Sequence, residues 1–178
     1  MKYLLTVVLI STFFLSAPSA QNALPQKTPL PETKKLNYFV GTWVLQGNRR
    51  PSAVGPGGKF TLTEHNEWMD GGFFLVGHAS AKTPTGSGTS LAVMCYEPEH
   101  KIYRDHVFTS GGEYEFSTGT REGDTWTWNR EEMTGHDTTK ERYTVKQVSP
   151  TSYTFKFEIA PAGADWSIVN EGTATKTK

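Results

Sequence analysis

From Gly41 to the C-terminus no stretch keeps an apolar residue at every third or fourth position. Trp, Tyr, Phe, Val and Thr recur instead in short alternating runs cut by glycine-bearing turns. A period of two sends successive side chains to opposite faces of a strand, so this pattern admits a sheet and excludes a helical bundle. It predicts strands over 41–47, 59–68, 73–81, 90–96, 102–109, 113–119, 125–130, 138–147, 152–159 and 165–175, about ten in all. The separators Asp70-Gly71-Gly72, Ser110-Gly111-Gly112, Arg121-Glu122-Gly123, Ser149-Pro150-Thr151 and Pro161-Ala162-Gly163 supply positive-φ or φ-locked turn positions. Gly86-Ser87-Gly88 reads as a flexible hairpin loop. Connections this short make neighbouring strands antiparallel. A flat meander leaves two exposed edges, and closing it into an all-β, up-and-down barrel removes both. Beyond about eight strands such a barrel has interior room that its own side chains do not fill.

Alternation sorts the faces. In the ninth run Tyr153, Phe155, Phe157 and Ile159 point one way, and Trp126 and Trp128 flank Thr127 in the same manner. In the second run Phe60, Leu62, Glu64, Asn66 and Trp68 share the interior side. A tight Asp70-Gly71 turn would set Trp68 opposite Phe73 and Asn66 opposite Leu75. An interior Glu64 needs a donor, water or a ligand, or else it lies at a wet barrel mouth. Arg142 depends on the loop at 149–151. An odd residue count turns Tyr143 and Val145 inward and leaves Arg142 outside opposite Glu158; an even count sends Arg142 into the cavity, where a guanidinium would make an anion site. Trp43, Trp126, Trp128 and Trp166 are first of all core residues.

Ahead of the sheet, Lys2, the apolar run 4–15 and the small residues Ala17, Ser19 and Ala20 before Gln21 read as a signal peptide over 1–20. The run is too short to anchor in a bilayer, and no cysteine follows it to carry a lipid. Pro25, Pro29 and Pro31 mark 21–32 as a tether, and 33–178 is a single barrel domain. The stretch 31–39 is a short helical plug, with Pro31 in its first turn and Leu36, Phe39 and Val40 placed toward the core. The expected location is outside the cytoplasm, periplasmic or secreted. The 178 residues carry 18 basic and 18 acidic side chains. Removing the signal, whose one charge is Lys2, leaves 17 bases against 18 acids. That balance offers no field for nucleic acid or an anionic bilayer.

Catalytic and metal motifs are sparse. His65-Asn66-Glu67 has the His-x-Glu spacing of zinc deaminases, but the one cysteine, Cys95, cannot supply their Cys-x-x-Cys partner. The five histidines show no metalloprotease spacing, so no metal site is expected. Gly86-Ser87-Gly88 fits neither a serine-hydrolase elbow nor a dinucleotide fingerprint, and 55–58 lacks the Lys-Ser/Thr of a phosphate loop. Cys95, between Met94 and Tyr96 in a strand, reads as a small structural hydrophobe.

The segment Leu36-Asn37-Tyr38-Phe39-Val40-Gly41-Thr42-Trp43 resembles the Gly-x-Trp opening of lipocalin and calycin barrels, where a short helical turn precedes a first strand whose Trp packs across the base. Glu67-Trp68-Met69-Asp70-Gly71-Gly72-Phe73-Phe74, Met94-Cys95-Tyr96-Glu97-Pro98 and Glu141-Arg142-Tyr143 are similar to stretches of a family of small secreted bacterial calycin-like proteins of unknown function. Two departures stand out. Cys95 occupies a position where that family usually has Gly before Tyr, and the last strand offers Lys176 and Lys178 but no Arg to cover Trp43. The resemblance implies a fold and a cavity. A haem site, as in some related ten-stranded barrels, needs an inward axial His, whereas parity places His65 and His78 outward.

The leading expectation is an exported barrel that binds a small, partly apolar ligand, with Glu64, Asn66, Trp68, Trp126, Trp128, Glu141, Arg142 and Tyr143 as candidate contacts and no cofactor. An enzyme using Glu64 or Glu141 as a base, and an interaction protein with a filled barrel, are the alternatives. No membrane insertion after signal cleavage is expected, and the chain is expected to be a monomer or weak dimer.

Overall fold

Each alternating run becomes a strand, and the strands pair in chain order until the sheet meets itself. The computed structural model describes residues 27–51, 56–134 and 137–177. The predicted signal peptide and the first half of the predicted tether lie outside these residues. The strands are β1 (Gly41–Arg49), β2 (Gly58–Trp68), β3 (Phe74–Thr83), β4 (Gly86–Glu97), β5 (Ile102–Thr109), β6 (Tyr114–Glu122), β7 (Thr125–Thr134), β8 (Asp137–Ser149), β9 (Ser152–Ala160) and β10 (Ser167–Lys176). Every pairing is antiparallel, and β1 bonds to both β2 and β10. The result is a closed, up-and-down barrel without a sheet edge.

One end is sealed by the segment ahead of β1. α1 (Pro31–Lys34) runs into a 3-10 turn over Lys35–Phe39, which buries Leu36 and Phe39. The helix starts inside the predicted 21–32 tether, and Glu32 is fastened to the barrel because its carbonyl accepts from the Tyr103 hydroxyl at 3.0 Å. The Tyr38 hydroxyl donates to Ser152 O at 2.8 Å, which ties the plug to the opposite wall. Around Phe39 the ends of the strands contribute Trp43, Leu75, Tyr103, Trp126, Val145 and Tyr153, all buried. Each large apolar side chain removed from water here is worth roughly 1.5–3 kcal/mol, so the core sits at this end and the rest of the lumen stays open. Trp43 Nε1 donates to Phe39 O at 2.9 Å. The cation over its ring comes from Lys176, whose Nζ lies 4.9 Å from the ring centroid and donates to Tyr38 O at 3.3 Å. Lys176 thus covers Trp43 without the arginine that true lipocalins use there.

Two pairings differ from the sequence reading, and a third, which loop parity left open, takes its outward branch for Arg142. Gly86-Ser87-Gly88 is not a loop but the start of β4, paired with Ala81, Lys82 and Thr83. The β2–β3 hairpin closes two residues later than a tight turn allows, pairing Trp68 with Leu75 and Asn66 with Gly77. Gly71 and Gly72 both take positive φ, 92° and 72°, and Met69 N bonds to Phe74 O across the wider loop. A slip of two keeps every side chain on its own face, so the inward set survives. At β8–β9 the ladder ends on Ser149 opposite Ser152, an even loop that would turn Arg142 inward. A bulge between Gln147 and Ser149 inserts one more residue, restores odd parity and sets Arg142 opposite Glu158 on the outside. Trp166, expected in the core, lies in the β9–β10 connection at 40% exposure.

Candidate functional site

Above the plug the barrel encloses a cavity of about 710 Å³. Phe39 is its floor. At the far end its wall includes the exposed Glu113 and Glu132, so the cavity reaches solvent on the side away from the plug. The apolar wall is made by Leu62, Ala92, Met94, Val107, Trp128 and Phe157, inward residues of β2, β4, β5, β7 and β9.

The polar groups are placed by the same alternation. Glu64 and Asn66, on β2, lie just above the floor and not at the mouth. Asn66 is 2% exposed; its Nδ2 donates to Phe39 O at 3.1 Å and to Glu64 Oε1 at 3.1 Å. Its Oδ1 occupies the space that a side chain at Gly77 would take, which explains a glycine in the middle of β3. Burial raises the Glu64 carboxyl above its ordinary range, opposed by the hydrogen bond from Asn66. Asp105 enters the lumen from β5. Its Oδ1 is shielded from solvent and has no hydrogen-bond partner among the described residues. Burial first, then the charges of Glu64 and Glu115, pushes its carboxyl up to about 7. Tyr143, from β8, is held strongly in its hydroxyl form by burial and by the charges of Glu64 and Asp105. These three groups converge from β2, β5 and β8 on one interior region.

Nearer the mouth, Arg130 on β7 is saturated with carboxylates. Its Nη2 and Nε lie 2.6 and 2.7 Å from Glu141 Oε2, and its Nη1 lies 3.3 Å from Glu115 Oε2. Burial raises the Glu141 carboxyl, against the pull of Arg130. Trp128 lines the cavity and stacks on Trp126, with rings 6.3 Å apart and 6° from parallel. The Trp128 ring also lies over Gly119, where a Cβ would stand 2.5 Å from its Cε3.

Of the eight residues marked in the sequence, Glu64, Asn66, Trp128, Glu141 and Tyr143 line the cavity. Three do not. Trp126 is fully buried in the base, against Phe39, Tyr103 and the Arg121 guanidinium. Trp68 sits under the plug, its Nε1 donating to Asn37 Oδ1 at 2.7 Å. Arg142 is outside, 3.0 Å from Glu158 Oε2 and with its Cζ 4.2 Å from the Trp166 ring centroid. Although burial opposes it, hydrogen bonds from Arg142 and Lys156 hold the Glu158 carboxyl below its usual range. Asp105, Glu115 and Arg130 were missed, yet the signal was present: Tyr103-Arg104-Asp105-His106-Val107 and Trp126-Thr127-Trp128-Asn129-Arg130 alternate like the runs around them.

Among the described residues no group of three His, Cys, Asp or Glu side chains is placed to hold a metal ion. His65 and His78 face outward as a cross-strand pair, with His65 Nδ1 2.8 Å from the Thr42 hydroxyl. His106 stacks on Tyr114 outside the wall. None of the described histidines lines the cavity. Burial, reinforced by the charge of Glu97, raises the Cys95 thiol, which keeps it protonated and unreactive.

No curated protein sequence matches this chain. Among solved structures, Rv2717c from M. tuberculosis superposes with a TM-score of 0.59 over 84% of this chain and 99% of its own, at 9% identity. The S-type phycobiliprotein lyase CPES from Guillardia theta gives 0.54 over 82% of this chain and 92% of its own, at 11% identity. At such identities the likeness speaks for a shared lipocalin-like barrel. The sequence itself goes further: residues 28–176 match the family described as protein of unknown function DUF1579, and the chain belongs to that family.

Proposed function

We propose that the barrel is a receptacle for a small, partly apolar molecule. The observation that carries this reading is the cavity itself: about 710 Å³, closed at the plug and reaching solvent at the other end, with an apolar wall and a few convergent polar groups. That combination is what small-molecule sites share, broad apolar surface for affinity and sparse polar contacts for orientation. The phycobiliprotein lyase neighbour supports a barrel of this type serving a small-molecule function. The filled-barrel alternative has no support in a lumen of this size.

Two measurements test it. Native mass spectrometry of protein purified from its own host should show a non-covalent adduct. N-phenyl-1-naphthylamine, a neutral apolar fluorophore, should brighten on binding the wild type and markedly less on Ala92→Trp, whose indole projects into the lumen and takes up part of it. Equal brightening in both proteins would locate the probe elsewhere and defeat the reading.

A second reading, acid–base catalysis in the same lumen, is favoured by Asp105, whose carboxyl is pushed up to about 7 by burial and by the charges of Glu64 and Glu115. A group there both gives and takes protons at neutral pH. In that case the wild type would return the co-purified molecule chemically altered, and Asp105→Asn would return it unchanged. We further propose that the protein works after export, on the strength of Lys2, the apolar run 4–15 and the small residues before Gln21.

A further inference from the structure

Six carboxyl side chains line the cavity, Glu64, Asp105, Glu113, Glu115, Glu132 and Glu141, against two guanidinium groups, Arg49 and Arg130. The chain as a whole carries 18 bases and 18 acids, so this excess belongs to the lumen and not to the protein. Arg130 is spent on Glu141 and Glu115. Deeper in, Asp105 presents an oxygen to the same cavity as Trp128 that no described residue satisfies, and Glu64 receives the one Asn66 hydrogen bond at Oε1. A buried acceptor without a donor is costly, and a bound molecule that brings donors removes that cost.

We propose that the cavity selects small amines: an apolar body packed against Trp128 and a protonated nitrogen placed between Glu64 and Asp105. This rests on the receptacle reading above and adds the charge of the ligand's head group. An ammonium carries up to three N–H donors and no acceptor, which suits a wall of carboxylates. Binding a cation between two carboxyls that share the lumen as like charges relieves their repulsion and favours ionisation of both. Amine binding at neutral pH therefore releases protons from the site. Anionic ligands are disfavoured by the same wall, and haem, with its two propionates and no inward histidine among the described residues to ligate it, does not suit it.

Three probes with one phenyl body separate the outcomes by calorimetry at pH 7: 2-phenylethylamine, 2-phenylethanol and 3-phenylpropanoate. The amine should bind about 10- to 100-fold more tightly than the alcohol, the range of a hydrogen bond to a charged group, and the propanoate should bind least. The amine enthalpy should vary with the ionisation enthalpy of the buffer, because protons leave, and the alcohol enthalpy should not. In the double variant Glu64→Gln, Asp105→Asn the preference for the amine should shrink to within about threefold while the alcohol still binds; Arg142→Ala, outside the barrel, should keep the full preference. If the alcohol binds as well as the amine, if the propanoate binds best, or if the double variant keeps the preference, the amine proposal is overturned while the receptacle stands. If none of the three probes nor the naphthylamine binds, both fall.

Discussion

Asp105→Asn isolates the electrostatic cost of the lumen. The Asp105 carboxyl is pushed from its ordinary 3.8 to about 7, by burial first and then by Glu64 and Glu115. Between those values the folded chain holds a proton that the unfolded chain has lost, so the folded state binds more protons and stability falls as pH rises across the window. From pH 5 to about 7 this spans about two pH units, a ceiling of about 3 kcal/mol at about 1.4 kcal/mol per unit. The carboxyl borders a cavity that solvent reaches, which reduces the loss to about 1.5 kcal/mol. Asparagine resembles the protonated acid and does not titrate. Urea unfolding at pH 5 and pH 8 should therefore show Asp105→Asn gaining about 1.5 kcal/mol on the wild type between the two conditions. With a urea slope of about 1–3 kcal/mol per molar, that is a midpoint difference of about 0.5–1.5 M. Titrations of groups that do not interact with Asp105 occur in both proteins and cancel. If the gap between the two proteins is the same at both pH values, or narrows at pH 8, the raised carboxyl does not exist as described.

Gly119→Ala places a Cβ against the Trp128 ring and should cost about 1–3 kcal/mol, read as a lowered unfolding midpoint together with a shifted tryptophan emission. Lys176→Met keeps the stem over Trp43 but removes the cation and its bond to Tyr38 O, and should cost about 1 kcal/mol in thermal unfolding, with Lys176→Arg recovering most of it. Arg142→Ala leaves the buried Glu158 carboxyl to Lys156 alone and strips the guanidinium from the Trp166 ring, and should cost about 1–2 kcal/mol by urea unfolding. N-terminal sequencing of protein from the native host should begin near Gln21; an intact Met1 on a cytosolic chain would contradict export.

Strand count, the antiparallel meander and the inward faces of β2, β7 and β9 were legible because alternation is a local property: each side chain's face is set by its neighbour two residues away. The Pro31 helix and the Gly41-x-Trp43 opening were legible for the same reason. Turn geometry was only half legible. Asp70-Gly71-Gly72 announces a turn, yet whether two or four residues bridge it depends on how Gly71 and Gly72 divide their positive φ angles, and the result moved the β2–β3 pairing by two. Arg142 hung on a bulge at Val148, which no composition rule marks and which arises because Tyr143, Val145 and Tyr153 bury better in the shifted ladder. Partnerships across the lumen lie beyond any local pattern. Alternation can say that Glu64, Asp105, Tyr143 and Arg130 all point inward. Only closure of β1 onto β10, which curls the sheet, brings β2, β5 and β8 face to face, and it is this that leaves Arg130 among acids near the mouth and an unsatisfied Asp105 in the lumen that Trp128 lines.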